Sequence, residues 1–321
     1  MRKLTTQREG NPFCHSDSNK RYYTYDYWLR ETFGGKCAKI PLDAGFTCPN
    51  IDGRCGRGGC IYCSGRGSGD FAESPILPIA EQYRIVREKL SSKWTTERCI
   101  PYFQAHTNTY APLSVLREKY EEALLLPGVV GMNIGTRADC IDEEIASLIA
   151  SYKDKYEVWV ELGLQTANDD TARKINRGYT RDVFDRAMRI LSDKKIKTVV
   201  HLMLGLPGED INDNIKSAEY VASLTPFGVK VHSLYVMRDT KLEKIYNEKG
   251  YTPPTLSEYS DAAAEVLARI PADTVVHRIT GDCPRDMLVA PDWNRDKNEI
   301  IASVNQAMIR KEYRQGILFN K

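Results

Sequence analysis

No stretch of this sequence approaches the roughly 18 consecutive apolar residues that a membrane-crossing helix needs, and the opening Met1-Arg2-Lys3-Leu4 is polar where a signal peptide is apolar. A cytoplasmic chain without membrane attachment is expected. An excess of charge of one sign is missing too. The 45 Lys and Arg oppose 43 Asp and Glu, a formal net charge of +2, so composition neither demands nor excludes a nucleic-acid partner and any basic patch must be local. Internal repeats, long linkers and low-complexity blocks are absent. What remains, 321 residues with 42% hydrophobic and 27% charged, suffices to bury one substantial core. Cysteine is not scarce: there are nine. An odd number in a reducing compartment argues against a disulfide framework and leaves metal ligation or ordinary burial.

Along the chain, residues 1–20 read as a polar tail, and the aromatic stretch 22–30 begins a short packing helix. A strand over 39–42 runs into residues 43–70, where Gly at 45, 53, 56, 58, 59, 65, 67 and 69 forbids regular structure and permits close backbone approach to something bound. Apolar strands then alternate with amphipathic helices. The strands fall at 99–104, 129–134, 158–164, 198–204, 229–235 and 274–279, and the helices at 79–91, 113–125, 143–152, 181–192, 211–223 and 256–268. Such βα repetition implies a parallel sheet wrapped by helices, and six or seven strands suit a complete or partial (β/α) barrel better than a doubly wound sheet. A charged helix over 296–314 closes the chain.

Cys60 and Cys63 stand two residues apart in the glycine-rich loop, with Cys48 eleven residues upstream of Cys60. Three thiolates converging there could hold a [4Fe–4S] cluster with one iron left open to a further ligand. A tetrahedral zinc site is the alternative, with Cys55 as its fourth ligand, although the spacing is not a pair of C-x2-C knuckles. Incidental buried thiols are the third reading, and spacing alone leaves all three open.

The run Pro41-Leu42-Asp43-Ala44-Gly45-Phe46-Thr47-Cys48-Pro49-Asn50, followed by Gly58-Gly59-Cys60-Ile61-Tyr62-Cys63, resembles the YhcC/YtqA branch of the radical SAM proteins. That branch is similar to the catalytic domain of the Elongator subunit Elp3. The resemblance implies a partial (β/α)6-type α/β barrel over 37–283, with an N-terminal extension at 1–36 and a C-terminal helical extension at 284–321. It also implies Cys48, Cys60 and Cys63 as ligands of a [4Fe–4S] cluster that cleaves S-adenosylmethionine to a 5′-deoxyadenosyl radical. The long gap after Cys48 departs from the commoner C-x3-C-x2-C, and Cys55 is an addition to the three-cysteine pattern.

Further matches place the cosubstrate. Tyr62, the aromatic before the last cysteine, would meet the adenine edge through its backbone. The segment Ala105-His106-Thr107-Asn108-Thr109-Tyr110 resembles the one that grips the methionine ammonium, with Thr107, Asn108 and Thr109 as acceptors. The run 160–167 followed by Lys174-Ile175-Asn176-Arg177-Gly178 resembles an Elp3-like run whose Glu, Gln and Arg lie near ribose and carboxylate, here Glu161, Gln165 and Arg177. Pairing with a structural cation is the alternative for Glu161. Cys140 and Cys283 are candidate hydrogen-atom donors, with plain burial as the alternative. His106, His201, His232 and His277 sit in or beside strands, where a hydrogen-bonded core histidine is the commoner case. Arg137, Arg278 and Arg285 could meet an anion.

The resemblance makes tRNA, at a wobble-uridine side chain, the expected substrate. Flavodoxin or ferredoxin is the expected electron donor, and a downstream tRNA-modifying enzyme is a possible partner. Arg54, Arg57 and Arg66 around the cluster loop, and Arg173, Lys174, Arg177, Arg181, Lys194, Lys195 and Lys197 further on, could meet phosphates or make a solvated face. The resemblance covers the Elp3 barrel and not its acetyltransferase domain, so a protein without that domain, reacting with SAM alone or with a partner enzyme, is expected. The rivals are a small-molecule substrate and a zinc-stabilised nucleic-acid-binding module.

Overall fold

The computed structural model describes residues 11–92 and 95–319. Strands β1 (Ala38–Leu42), β2 (Cys99–Phe103), β3 (Gly131–Thr136), β4 (Glu157–Gln165), β5 (Lys197–Leu204), β6 (Gly228–Ser233) and β8 (Val275–Arg278) hydrogen-bond in that sequential order. β7 (Val236–Met237) and β9 (Leu288–Ala290) form a separate antiparallel pair. Pairings β1 to β4 and β6 with β8 are parallel. A sequential order has no switch point, which is the topology of a partial (β/α) barrel and not of a doubly wound sheet. No helix among the described residues is long and apolar enough to cross a membrane.

Burial explains why these segments are strands. All five residues of β2 are buried, as are most of β3 and β4, the continuous burial of a parallel sheet covered on both faces. β3 starts two residues later than the apolar pair Val129-Val130 suggests and continues through Gly135 and Thr136. Its register is set by β4, with Gly131 opposite Glu157 and Gly135 opposite Glu161. Residues 43–78 contain no helix or strand, as the glycine density implies.

The chain divides into two compact units, the first comprising residues 33–164 and 176–199, the second residues 11–32, 165–175 and 200–319. Residues 1–10 of the expected tail lie outside the described residues. From residue 11 the tail expectation is corrected: Phe13 is 1% exposed, and the Asn11 amide donates to the carbonyls of Ser18 and Lys20. The aromatic helix runs Tyr25–Phe33, with the Thr24 hydroxyl accepting from the Tyr27 amide.

Helix Leu256–Arg269, opened by a Thr255/Glu258 capping box, packs against Ile211–Ser223 and Lys297–Arg310 within the second unit. The last helix stops at Arg310, short of the expected 314, because Glu312 adopts a left-handed backbone with φ 55°. Its Arg310 and Lys311 pair with Asp261 and Glu265 and so are neutralised by the neighbouring helix.

Candidate cluster and cosubstrate site

The functional candidates of the first unit gather where β1 to β4 end. After Leu42 the backbone folds into a small hairpin. The Cys48 carbonyl accepts from the amides of Ile51 (2.8 Å) and Asp52 (3.1 Å), the Asn50 carbonyl accepts from Gly59 (2.9 Å), and Asp52 bridges Arg57. The turn that follows brings Cys63 back over Cys60, amide to carbonyl at 3.1 Å. Cys48, Cys60 and Cys63 are partly buried, Cys55 is exposed, and all four are free thiols.

Two asparagines fasten this hairpin to the segment after β4. Asn50, fully buried, donates to the Asn176 carbonyl (2.6 Å), and Asn176, at φ 55°, donates back to the Gly59 carbonyl (2.7 Å). Sequence reasoning quoted both beside Cys48 and Arg177 without giving them a role. Asn at a left-handed position is a readable turn signal, but its partner 117 residues away is not.

The electrostatics favour anionic sulfur at Cys60. Its thiol is drawn down to about 6, first by a hydrogen bond from Cys63, with Arg137, Tyr62 and Asn50 acting in the same sense against burial. Cys63 moves the opposite way for the same contact. Arg137 is gripped by both oxygens of Asp139 (2.9 Å each) and donates to the Cys55 sulfur at 3.5 Å.

Among the described residues, no three His, Cys, Asp or Glu side chains close on a point that could hold a single metal ion. A four-iron cluster offers a separate iron to each thiolate, so its ligands stand apart from one another. Free cysteines on a closely folded glycine-rich loop, with the Asn50 side-chain N–H aimed at Cys60, are a donor set that fits such a cluster.

At the end of β2, Thr107 donates its amide to the Thr47 carbonyl (3.2 Å), beside Cys48. The expected polar trio divides here. The Thr109 hydroxyl is engaged by Thr136 (2.6 Å) and the Cys140 carbonyl (2.7 Å), and the Asn108 amide nitrogen by the carbonyls of Phe103 and Gly135. The Thr107 hydroxyl and Asn108 Oδ1 are buried without a hydrogen-bond partner. Unpaired buried oxygens of this kind fit a donor-rich ligand such as an ammonium. Tyr62 is half-buried on the loop.

Glu161 lies on β4 with its side chain wholly buried. Oε1 accepts from Lys39 on β1 (3.0 Å) and Asn133 on β3 (2.5 Å), and Oε2 from Tyr102 on β2 (2.8 Å). Lys39 lies 3.6 Å over the Tyr102 ring. The structure thus gives Glu161 a cationic partner within the unit, the pairing weighed against a ribose contact. The signal that could have found it is a lone lysine inside the apolar strand Ala-Lys-Ile-Pro-Leu.

Arg177 is 1% exposed, donates to the carbonyls of Leu164 (2.6 Å) and Tyr179 (3.0 Å), and stacks on the Tyr179 ring. It therefore braces the end of β4. Gln165 closes β4 in a left-handed conformation, φ 62°, and is assigned to the second unit.

Cys140 is buried in the first unit, where burial pushes its thiol up, while Cys283 is half-buried in the second. The His201 and His232 rings lie 5.0 Å apart in the second unit, and His277 stacks on Tyr25 at 4.2 Å. Burial lowers the His106 pKa.

The expected basic run is not a continuous patch. Arg173 pairs with Asp170, Lys194 with Glu143 (3.6 Å) and Lys197 with Glu157 (2.5 Å), and Arg177 is buried. Around the cluster loop, Arg66 is tied to the Ala72 and Glu73 carbonyls, whereas Arg54 and Arg57 are exposed and Arg54 stacks over Tyr110 at 5.3 Å. Arg278 and Lys297 pair with Asp282 in the second unit.

Comparison with known proteins bears on the same residues. The chain matches the Radical SAM superfamily model over residues 50–221 and the Radical_SAM C-terminal domain model over 226–310. It is 38% identical to YtqA of Bacillus subtilis over 313 residues, 98% of this chain and 97% of that one. It is 35% identical to YhcC of Escherichia coli K12 over 270 residues, 83% and 85% of the two chains. Its fold is similar to that of Methanocaldococcus infernus Elp3, with a TM-score of 0.66 at 18% identity over 87% of this chain and 64% of that one. The cysteines of the glycine-rich hairpin and the sequential parallel sheet thus belong together, and the chain is a member of the radical SAM superfamily.

Proposed function

We propose that this radical SAM enzyme remodels the side chain of a tRNA wobble uridine. Cys48, Cys60 and Cys63 would hold a [4Fe–4S] cluster, which would supply the electron for reductive cleavage of S-adenosylmethionine to a 5′-deoxyadenosyl radical. The protein's own work is positioning. Asn50 and Asn176 hold the cysteine hairpin, Thr107 and Asn108 present unpaired oxygens suited to the methionine ammonium, and the apolar walls of β2 to β4 exclude water.

The observation that carries the substrate reading is the rim of that hairpin. Exposed Arg54 lies over Tyr110, and Arg57 is exposed on the same hairpin, so the loop that carries the cysteines also carries a cation stacked on an aromatic face. Such pairs suit splayed single-stranded bases and their phosphates. The resemblance of the cosubstrate segments to those of Elp3 points the same way.

Two measurements test the reading. Unmodified tRNA should bind in a salt-sensitive manner, and tRNA from a strain lacking the protein should lose one wobble-uridine nucleoside. Intact tRNA modification in that strain, with no binding at low salt, overturns the tRNA substrate and leaves a small-molecule substrate for the same radical chemistry.

A further inference from the structure

The Asn50 side-chain nitrogen does more than hold the hairpin: it also donates to the Cys60 sulfur at 3.7 Å. The orientation of the amide follows from its surroundings. A backbone carbonyl only accepts, so the atom 2.6 Å from the Asn176 oxygen must be the nitrogen. Its second N–H then reaches Cys60.

The amide oxygen, buried and unpaired, lies over two glycines. A Cβ at Gly56 would stand 2.0 Å from it and one at Gly178 2.9 Å. Gly178 is at φ 85°, where only glycine sits without strain. The hairpin and the turn before helix Arg181–Asp193 are thus cut back to leave room for this one amide, whose residue is 0% exposed.

We infer that Asn50 is a positioning residue that sets the reduction potential of the cluster through its N–H···S bond to Cys60. Reduction adds one electron to the cluster and raises negative charge on the ligating sulfurs. A fixed donor stabilises that charge more in the reduced state than in the oxidised one and so raises the potential. A low-dielectric setting strengthens the effect. The inference rests on membership of the superfamily and on Cys60 as a ligand, and is independent of the tRNA substrate.

The test is a redox titration of the anaerobically reconstituted full chain, followed by the electron paramagnetic resonance signal of the reduced cluster. Asn50→Ala should lower the ratio of reduced to oxidised cluster at a fixed poise about tenfold, which is about 59 mV for a one-electron couple. Asn50→Asp should lower it further, because it adds a negative charge beside the sulfur. Asn176→Gly keeps the left-handed backbone and the carbonyl that orients Asn50 while removing the side-chain bonds to the Gly59 and Arg57 carbonyls, and should shift the ratio clearly less than Asn50→Ala does.

An unchanged potential in Asn50→Ala at full iron content overturns the inference, and so does an equal shift in Asn176→Gly, which marks general loosening. Pulsed resonance on the wild-type reduced protein gives a reading that does not depend on a variant's folding. With asparagine side chains labelled with nitrogen-15, one coupled nitrogen is expected that disappears in Asn50→Asp, and absence of any coupling in the wild-type protein overturns the inference.

Discussion

Among the cysteines of the hairpin, exposure and partner separate Cys55 from the rest. The Cys55 residue is exposed, its sulfur receives a hydrogen bond from Arg137, and partial desolvation of that sulfur, with Asp139 nearby, pushes its thiol up to about 11. Cys48, Cys60 and Cys63 are partly buried at the two feet of the hairpin. Substituting any of Cys48, Cys60 or Cys63 by Ala should abolish both bound iron and 5′-deoxyadenosine formation. Cys55→Ala should keep about four irons per chain and most of the cleavage, as read by iron analysis and product chromatography. Loss of iron from folded Cys55→Ala would reassign the ligand set.

Glu161 gives a second residue-scale expectation. Its carboxylate gathers Lys39, Tyr102 and Asn133 from three neighbouring strands. Glu161→Ala leaves a lysine ammonium, a phenol and an amide without their acceptor, at a cost of about 3 kcal/mol or more when one partner of a buried ion pair is removed. Lys39→Met should cost less, since the lysine is 26% exposed and the carboxylate keeps two donors. Urea denaturation compares them, and near-neutral Glu161→Ala would show that the cluster is not structural.

At the scale of elements, the strands and helices were legible because burial follows hydrophobicity in a covered parallel sheet. β2 and β4 lie within a residue or two of the expected segments. β3 was displaced because Val129 and Val130 are apolar yet precede the strand, while Gly135 and Thr136 carry no apolar signal and are placed by their pairing with Glu161 and Leu162. The cysteine loop was legible as irregular from its glycines. The partners of Glu161, Asn50 and Arg177 were not, because each pairing depends on which strand ends or faces become neighbours, and local sequence carries no record of that.

Caps are the opposite case, purely local and fully readable. The Thr255 hydroxyl accepts from the Glu258 amide, and the Glu258 carboxylate accepts from the Thr255 amide at 2.7 Å. Thr255→Ala should cost about 1 kcal/mol in thermal or urea unfolding, with Thr255→Ser close to wild type.

At the scale of the whole molecule, one side chain joins segments of the second unit that are far apart in sequence. Gln315 is 1% exposed, accepts from the Tyr23 amide (2.8 Å) and donates to the carbonyls of Pro271 (2.6 Å) and Thr274 (2.7 Å). The adjoining backbone continues the seam, with the Gly316 and Leu318 amides donating to the carbonyls of Leu267 and Ala268. The Tyr23 contact spans 292 residues, so closing it costs chain entropy that local structure does not repay. Its return comes from burial of three fully satisfied polar groups.

Gln315→Ala leaves the Tyr23 amide and the Thr274 carbonyl without the side chain that pairs them, each at about 1 kcal/mol or more, while the Pro271 carbonyl keeps its bond from the Thr274 amide (3.1 Å), so a loss of about 2 kcal/mol is expected in urea unfolding. Gln315→Glu tests the cause. The carboxylate still accepts from Tyr23 but cannot donate, and it faces two carbonyls, so at neutral pH it should be at least as damaging as Ala. Below the pKa of the new carboxyl, the protonated acid regains one donor, and part of the stability should return. A Gln315→Ala variant within about 0.5 kcal/mol of wild type, the range of an ordinary surface change, would mean that water takes over all three bonds.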